Sequence, residues 1–118
     1  MFRMMLKSKI HRVTVTGADL HYEGSITIDK DLLIASNVSP YEQVHIYNIN
    51  NGARFETYVI EGRSGSGEIC LNGAAARHVQ KGDLIIIASY VMLPEEDVTG
   101  YKPVYVFVNK DNKQVNKS

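Results

Sequence analysis

The dipeptide Asn51-Gly52, set between the β-rich runs Val44–Ile49 and Ala53–Ile60, constrains the chain more than any other short feature. A tight hairpin needs left-handed backbone angles that asparagine and glycine adopt at little cost, so this placement predicts an antiparallel pair in fixed register. A lone hairpin is marginal in water and needs further strands to cover its apolar face.

The rest of the sequence supplies them. Met4–Thr16 is rich in β-branched residues, and alternation over its second half places Lys9, His11, Val13 and Val15 on one face. Ser25–Ile28 is a short alternating run, after which Asp29 caps a brief helix through Asp31, Leu32, Leu33, Ile34 and Ala35. Ile69–Leu71 and Val104–Val108 read as strands, and the apolar run Leu84–Leu93, too short to cross a membrane, reads as a buried one. Ser39-Pro40 marks a turn, and Gly62–Gly67 a flexible hairpin connection. Asn72-Gly73-Ala74-Ala75-Ala76 is a bend of small side chains, and residues 109–118 form a flexible tail.

Many short strands, one or two helical turns and no βαβ rhythm predict a mainly β fold closed into a small barrel, because closure removes exposed strand edges. At 118 residues and 44% hydrophobic content, the chain forms a single domain, 1–118. Thirteen basic residues balance thirteen acidic ones, so no net field steers the chain to nucleic acid or an anionic membrane. The single cysteine, Cys70, has no mate, and no secretory h-region or long apolar span occurs, which points to a reducing cytoplasm. The histidines at positions 11, 21, 45 and 78 are not grouped at ligand spacings, so no metal is expected.

Two constellations carry chemistry. Lys9 and His11 share a strand face and must reach a polar pocket, an interface or solvent. Arg54, Glu56, Tyr58 and Ile60 share a face of the second hairpin strand, with Arg54 and Tyr58 roughly 13 Å apart. Arginine offers a fork for carboxylates and a tyrosine hydroxyl can pass a proton, so the pair suits a small dianion. An outward-facing barrel rim accounts for Lys9 and His11 equally, and exposed cross-strand packing is the default account of Arg54 and Tyr58 on these residues alone. Gly24-Ser25 alone is a common turn dipeptide, repeated at Gly65-Ser66.

Taken together, Lys7-Ser8-Lys9-Ile10-His11-Arg12, Ala18-Asp19-Leu20-His21-Tyr22-Glu23-Gly24-Ser25, Asn51-Gly52, Thr57-Tyr58 and Asn72-Gly73-Ala74-Ala75-Ala76 resemble bacterial aspartate 1-decarboxylases in order and spacing, from Met1 to about Val108. The resemblance implies a six-stranded double-psi β-barrel with one or two short helices, assembled as a homotetramer with sites near subunit boundaries. It implies a precursor that cuts itself between Gly24 and Ser25 into 1–24 and 25–118, with Thr57 stabilising the oxyanion. Ser25 would then become a pyruvoyl cofactor, without metal or pyridoxal phosphate, that forms a Schiff base with L-aspartate. By the same resemblance Tyr58 donates a proton to give β-alanine, a pantothenate precursor. Lys9, Arg54, Thr57, Asn72, Gly73, Ala74 and Ala75 bind substrate, with His11 and Tyr22 as supporting groups.

Thr57 and Tyr58 point to opposite faces of a regular strand, so their joint service requires a bulge or a site between subunits. Ile26 follows the serine where some relatives carry cysteine or threonine, and Tyr47 stands where others have tryptophan. Activation is unaided or served by a maturation helper. The alternative to this enzyme is a non-enzymatic β-barrel binding module whose chain stays whole.

Overall fold

A computed structural model describing residues 1–116 contains the hairpin at Asn51-Gly52. Gln43–Asn48 (β4) and Arg54–Gly62 (β5) pair antiparallel, from Tyr47 opposite Arg54 to Gln43 opposite Tyr58. Gly52 takes a φ of 77° and donates its N–H to the Asn48 carbonyl at 2.9 Å.

Seven more strands complete the sheet: Phe2–Thr14 (β1), Gly17–Asp19 (β2), Ser25–Asp29 (β3), Ile69–Asn72 (β6), Leu84–Pro94 (β7), Val104–Val108 (β8) and Gln114–Val115 (β9). Their order is β2-β6-β3-β5-β4-β7-β1-β8-β9. The fold is thus mainly β, with nine described strands where six were expected and a pairing that runs open from β2 to β9. β1 lies parallel to β8, β2 to β6 and β3 to β5, and the other neighbours are antiparallel. Backbone bonds from Val15 N–H to Asp83 and from Thr16 N–H to Ile69, both 2.8 Å, tie the β1–β2 link to the starts of β7 and β6.

Ile10, Ile26, Ile46, Leu71, Ile85 and Val106 fill the core with no more than 1% exposure each. Each such side chain contributes on the order of 2 kcal/mol of transfer free energy. Their alternation fixes the register, since a one-residue slip would turn a strand's apolar set to water.

β1 departs from simple alternation. Its register with β7 shifts between Ile10 and Val13, and Arg12 adopts a φ of 59°. This bulge corrects the single face expected for Lys9, His11, Val13 and Val15: the valines turn into the core, whereas Lys9 and His11 stay half-buried.

Asp29 caps the helix Lys30–Ser36 (α1), accepting from Asp31 N–H at 2.9 Å. The same carboxylate accepts from Gly65 N–H at 3.0 Å and Gly67 N–H at 2.8 Å, so the glycine-rich connection is pinned rather than flexible. Burial alone would raise the Asp29 carboxyl, but these three N–H groups and the charge of Lys113 outweigh it and hold it below the usual range.

Part of the segment expected as a tail is hydrogen-bonded to the sheet. From Asn109 the chain turns back, and β9 pairs with β8 through Phe107 opposite Val115. Asn112 is buried: its Oδ1 accepts from Thr14 N–H at 2.8 Å, and its Nδ2 donates to the carbonyls of Thr14 and Gly67 at 2.8 and 2.9 Å. Residues 117 and 118 lie outside the described residues.

Asn112→Ala is expected to destabilise the chain by about 2 to 3 kcal/mol in denaturant unfolding, since buried backbone groups lose their partners. An unchanged midpoint would show that another contact holds the tail. The Asp29 contribution is fully present above its ordinary value of 3.8 and is lost as pH falls below it through the lower folded value. The stability gap between wild type and Asp29→Asn, followed by unfolding from neutral pH downwards, should narrow in that window.

Candidate active site

Ser25 opens β3, and its partner across the ladder to β6 is Asn72. The next pair on the same face is Thr27 opposite Cys70, while Ile26, Ile28 and Leu71 face the core. Ser25 is fully buried, and Asn72 Nδ2 donates to its Oγ at 3.0 Å and to Thr27 Oγ1 at 3.1 Å. The Cys70 thiol donates to Asn72 Oδ1 at 3.4 Å, and Ser25 Oγ donates to the Glu23 carbonyl, also at 3.4 Å.

Past Asn72 the backbone turns sharply at Gly73, whose φ is 64°. A Cβ there would lie 2.6 Å from Gly24 N and 2.8 Å from the Tyr22 carbonyl oxygen, so only glycine fits. Gly73–His78 then forms a 3-10 turn. Glu23 and Gly24 are exposed, so the Gly24-Ser25 peptide bond joins a solvated turn to a buried strand.

Gly24, Thr57, Tyr58, Ala74 and Ala75 line one cleft of about 370 Å³, together with Phe55, Glu56 and His78. Phe55 and His78 stack at 4.7 Å to form a wall. Thr57 and Tyr58 both line the cleft, and of the two routes that alternation left, a bulge or a site between subunits, the bulge is absent, since the β4–β5 register runs unbroken to Tyr58. There β5 passes from pairing with β4 to pairing with β3, starting at Val59 opposite Ile26. The handover leaves the strand edge at Thr57 and Tyr58 facing Gly24.

Arg54 opens instead on a neighbouring cleft of about 690 Å³, lined also by His45, Tyr47, Glu56 and Tyr90. Its guanidinium lies 4.0 Å from the Tyr47 ring centre, and the hydroxyls of Tyr47 and Tyr90 are 2.7 Å apart. Burial, then the hydrogen bond to Tyr90 and that residue's charge, push the Tyr47 hydroxyl up to about 12. It therefore stays protonated at neutral pH. Phe55 and Glu56 border both clefts.

Lys9 lies outside both clefts, 5.5 Å from the Tyr105 ring. Along the row Lys9, Ala88, His45 and Glu56 it stands about 14 Å from Glu56, at about 4.8 Å per strand. His11 packs edge-on to Phe107 at 5.8 Å, its Nδ1 buried without a hydrogen-bond partner. Burial first, then Lys9 and Arg12, hold it below its usual value and hence neutral. Tyr22 is exposed at the rim of a third cleft, which it shares with Asp19, Arg63, Thr27, Cys70 and Asn72.

Reading the sequence missed Thr27, Cys70, His78 and Tyr90. Thr27 was open to detection, since period two from Ser25 reaches it, whereas the others come together only through strand pairing. Among the described residues no three His, Cys, Asp or Glu side chains converge as a metal site, and no helix is long and apolar enough to cross a membrane.

The family model for Aspartate decarboxylase matches residues 1–115. The chain belongs to the aspartate decarboxylase family. Among curated relatives, the Aspartate 1-decarboxylase of Syntrophus aciditrophicus is 65% identical over 113 residues, covering 96% of this chain and 97% of its own. That of Thermoanaerobacter pseudethanolicus is 58% identical over 116 residues, 98% and 99% of the two chains. That of Neisseria meningitidis is 60% identical over 113 residues, 96% and 89%.

In this member of the aspartate decarboxylase family Gly73 packs against the turn before Ser25 at a distance that leaves no room for a Cβ. Gly73→Ala is expected to destabilise the chain by more than about 1 kcal/mol and to raise amide exchange across residues 22–24. A melting curve and exchange pattern equal to wild type would refute the close contact.

Proposed function

We propose that this chain is the precursor of an enzyme that decarboxylates L-aspartate to β-alanine and carbon dioxide for pantothenate and coenzyme A synthesis. Family membership supports the reaction. The observation that carries the site is the buried Ser25 hydroxyl, hydrogen-bonded by Asn72 at the head of β3 and directly following the exposed Gly24.

The first reaction is on the chain itself. The Ser25 Oγ attacks the Gly24 carbonyl carbon and the Gly24–Ser25 amide bond breaks, leaving an ester in its place. Loss of the Ser25 α-proton then breaks the Cβ–Oγ bond, which frees 1–24 with a carboxylate end and leaves a dehydroalanine heading 25–118. Its imine tautomer takes up water and releases ammonia to leave the pyruvoyl group. Asn72 orients the oxygen, Gly73, lacking a Cβ, lets the Tyr22–Gly24 turn pack close against it, and Thr57, in the cleft with Gly24, donates to the oxyanion.

The residues present fit a pyruvoyl group at position 25: a side-chain amide already meets the Ser25 oxygen, and the missing Cβ at Gly73 gives the room that Gly24 uses. Such a group supplies an electron sink for the pair left by a departing carboxylate. Tyr58, half-exposed in the same cleft, returns a proton to the substrate carbon. Ala74 and Ala75 leave space for the substrate, and Arg54, pre-oriented on Tyr47, holds a carboxylate by its fork.

Lys9 meets the second carboxylate from a neighbouring subunit of a homotetramer, a reading supported by its distance from the Tyr58 cleft within one chain. His11 and Tyr22 support these groups. A double-psi barrel as the tertiary frame is favoured by the mixture of parallel and antiparallel neighbours and by the backbone bonds at Val15 and Thr16.

Intact mass of the denatured protein tests the reading. Two fragments meeting at Gly24 and Ser25 are expected, the larger resistant to Edman sequencing; a whole chain that releases no carbon dioxide from aspartate would favour the intact binding module. Ser25→Ala should stay whole and inactive. Tyr58→Phe should cleave yet lose about a hundredfold in kcat, and normal turnover would remove its role. An extra methylene shifts pocket fit by about 1 to 3 kcal/mol, so glutamate should turn over more slowly than aspartate in a carbon dioxide assay.

A further inference from the structure

Asn72 meets Ser25 through one end of an amide whose two ends differ. Its NH₂ end faces Ser25 Oγ and Thr27 Oγ1, and its oxygen faces the Cys70 thiol. A nucleophilic hydroxyl gains from this orientation, because the N–H fills one lone pair and leaves the Ser25 proton directed at the Glu23 carbonyl. Turned by half a rotation, the amide would present an oxygen to Ser25, which would draw the hydroxyl proton towards Asn72 and swing the remaining lone pairs.

Two groups oppose that rotation. Thr27 and Cys70 are cross-strand partners, one position along from Ser25 and Asn72 on the same face of the β3–β6 ladder. Thr27 Oγ1 accepts the amide's second N–H at 3.1 Å, and the thiol donates to its oxygen at 3.4 Å. Burial first, then Glu68 and Asp19, raise the Cys70 thiol, so it remains a protonated donor at neutral pH.

We propose that Thr27 and Cys70 are positioning residues for chain cleavage, clamping the Asn72 amide so that its N–H end faces the Ser25 nucleophile. The inference rests on the reading that the Gly24-Ser25 bond is cut. Neither residue touches the reacting atoms, and both act through Asn72. The clamp is local to the third cleft, which Tyr58 does not line.

Cell-free synthesis of the full chain, sampled for intact mass over time, tests it with paired variants. Thr27→Val keeps the volume and loses the acceptor, and should slow cleavage about fivefold; Cys70→Val loses a weaker donor and should slow it about twofold. Thr27→Ser and Cys70→Ser keep the polar group and should cleave at the wild-type rate, with melting temperatures checked for all. Should Thr27→Val fail to fold, Thr27→Ala takes its place. Serine variants as slow as valine variants, or valine variants as fast as wild type, would overturn the clamp while wild-type cleavage stands. A wild-type chain that stays whole would overturn the reading of the bond, and the clamp with it.

Discussion

β3 is hydrogen-bonded along both edges, parallel to β5 on one side and antiparallel to β6 on the other, and the arrangement of the site follows from that double pairing. The β6 ladder sets Asn72 opposite Ser25, so the serine oxygen meets an amide without needing a loop to be ordered. The β5 ladder starts only at Val59, which frees the preceding strand edge to face Gly24. Because Ile26 and Ile28 are wholly buried between these neighbours, the register of β3 cannot slip without exposing both.

Charged groups play a supporting role on this frame. Glu42 accepts from Lys7 Nζ at 3.0 Å, from Ser39 N–H at 3.0 Å and from the Ser89 hydroxyl, tying β1, β7 and the turn before β4 together. Burial would raise its carboxyl, and these donors more than offset that, leaving it below the usual range. Lys7 and Glu42 are each about a quarter exposed, so their pair keeps more of its strength than one open to water. By contrast Arg3 and Glu95, 2.7 Å apart, are largely solvated and contribute little.

The sequence was most legible where a local rule acts alone. Asn51-Gly52 located a hairpin and Asp29 located a helix start, because both signals depend on neighbouring backbone only. It was least legible where distant segments decide. Lys9 and His11 were assigned the face of Val13 because nothing in the local pattern announces the bulge at Arg12, which exists to keep both Ile10 and Val13 inside. The polar tail beyond Val108 read as frayed, since its anchor, Asn112, gains its burial from Thr14 and Gly67. Of the site, the residues near Ser25 were reached by resemblance to a family. Thr27 lay within reach of the period-two pattern that starts at Ser25, but Cys70 did not, because a cross-strand pairing, unlike a hairpin turn, leaves no mark on either segment.

β1 lies in the interior of the sheet, between β7 and β8, and all of it precedes residue 24. A backbone break between Gly24 and Ser25 would therefore separate a piece that the rest of the molecule grips by three ladders, β1 with β7 and β8 and β2 with β6, and by the buried side chains of Ile10, Val13 and Val15. Leaving would require that piece to unzip from all three neighbours. Scission at this point thus changes the number of chains without changing the number of folded bodies, and the two segments would behave as a permanent non-covalent pair whose new carboxyl end sits in water.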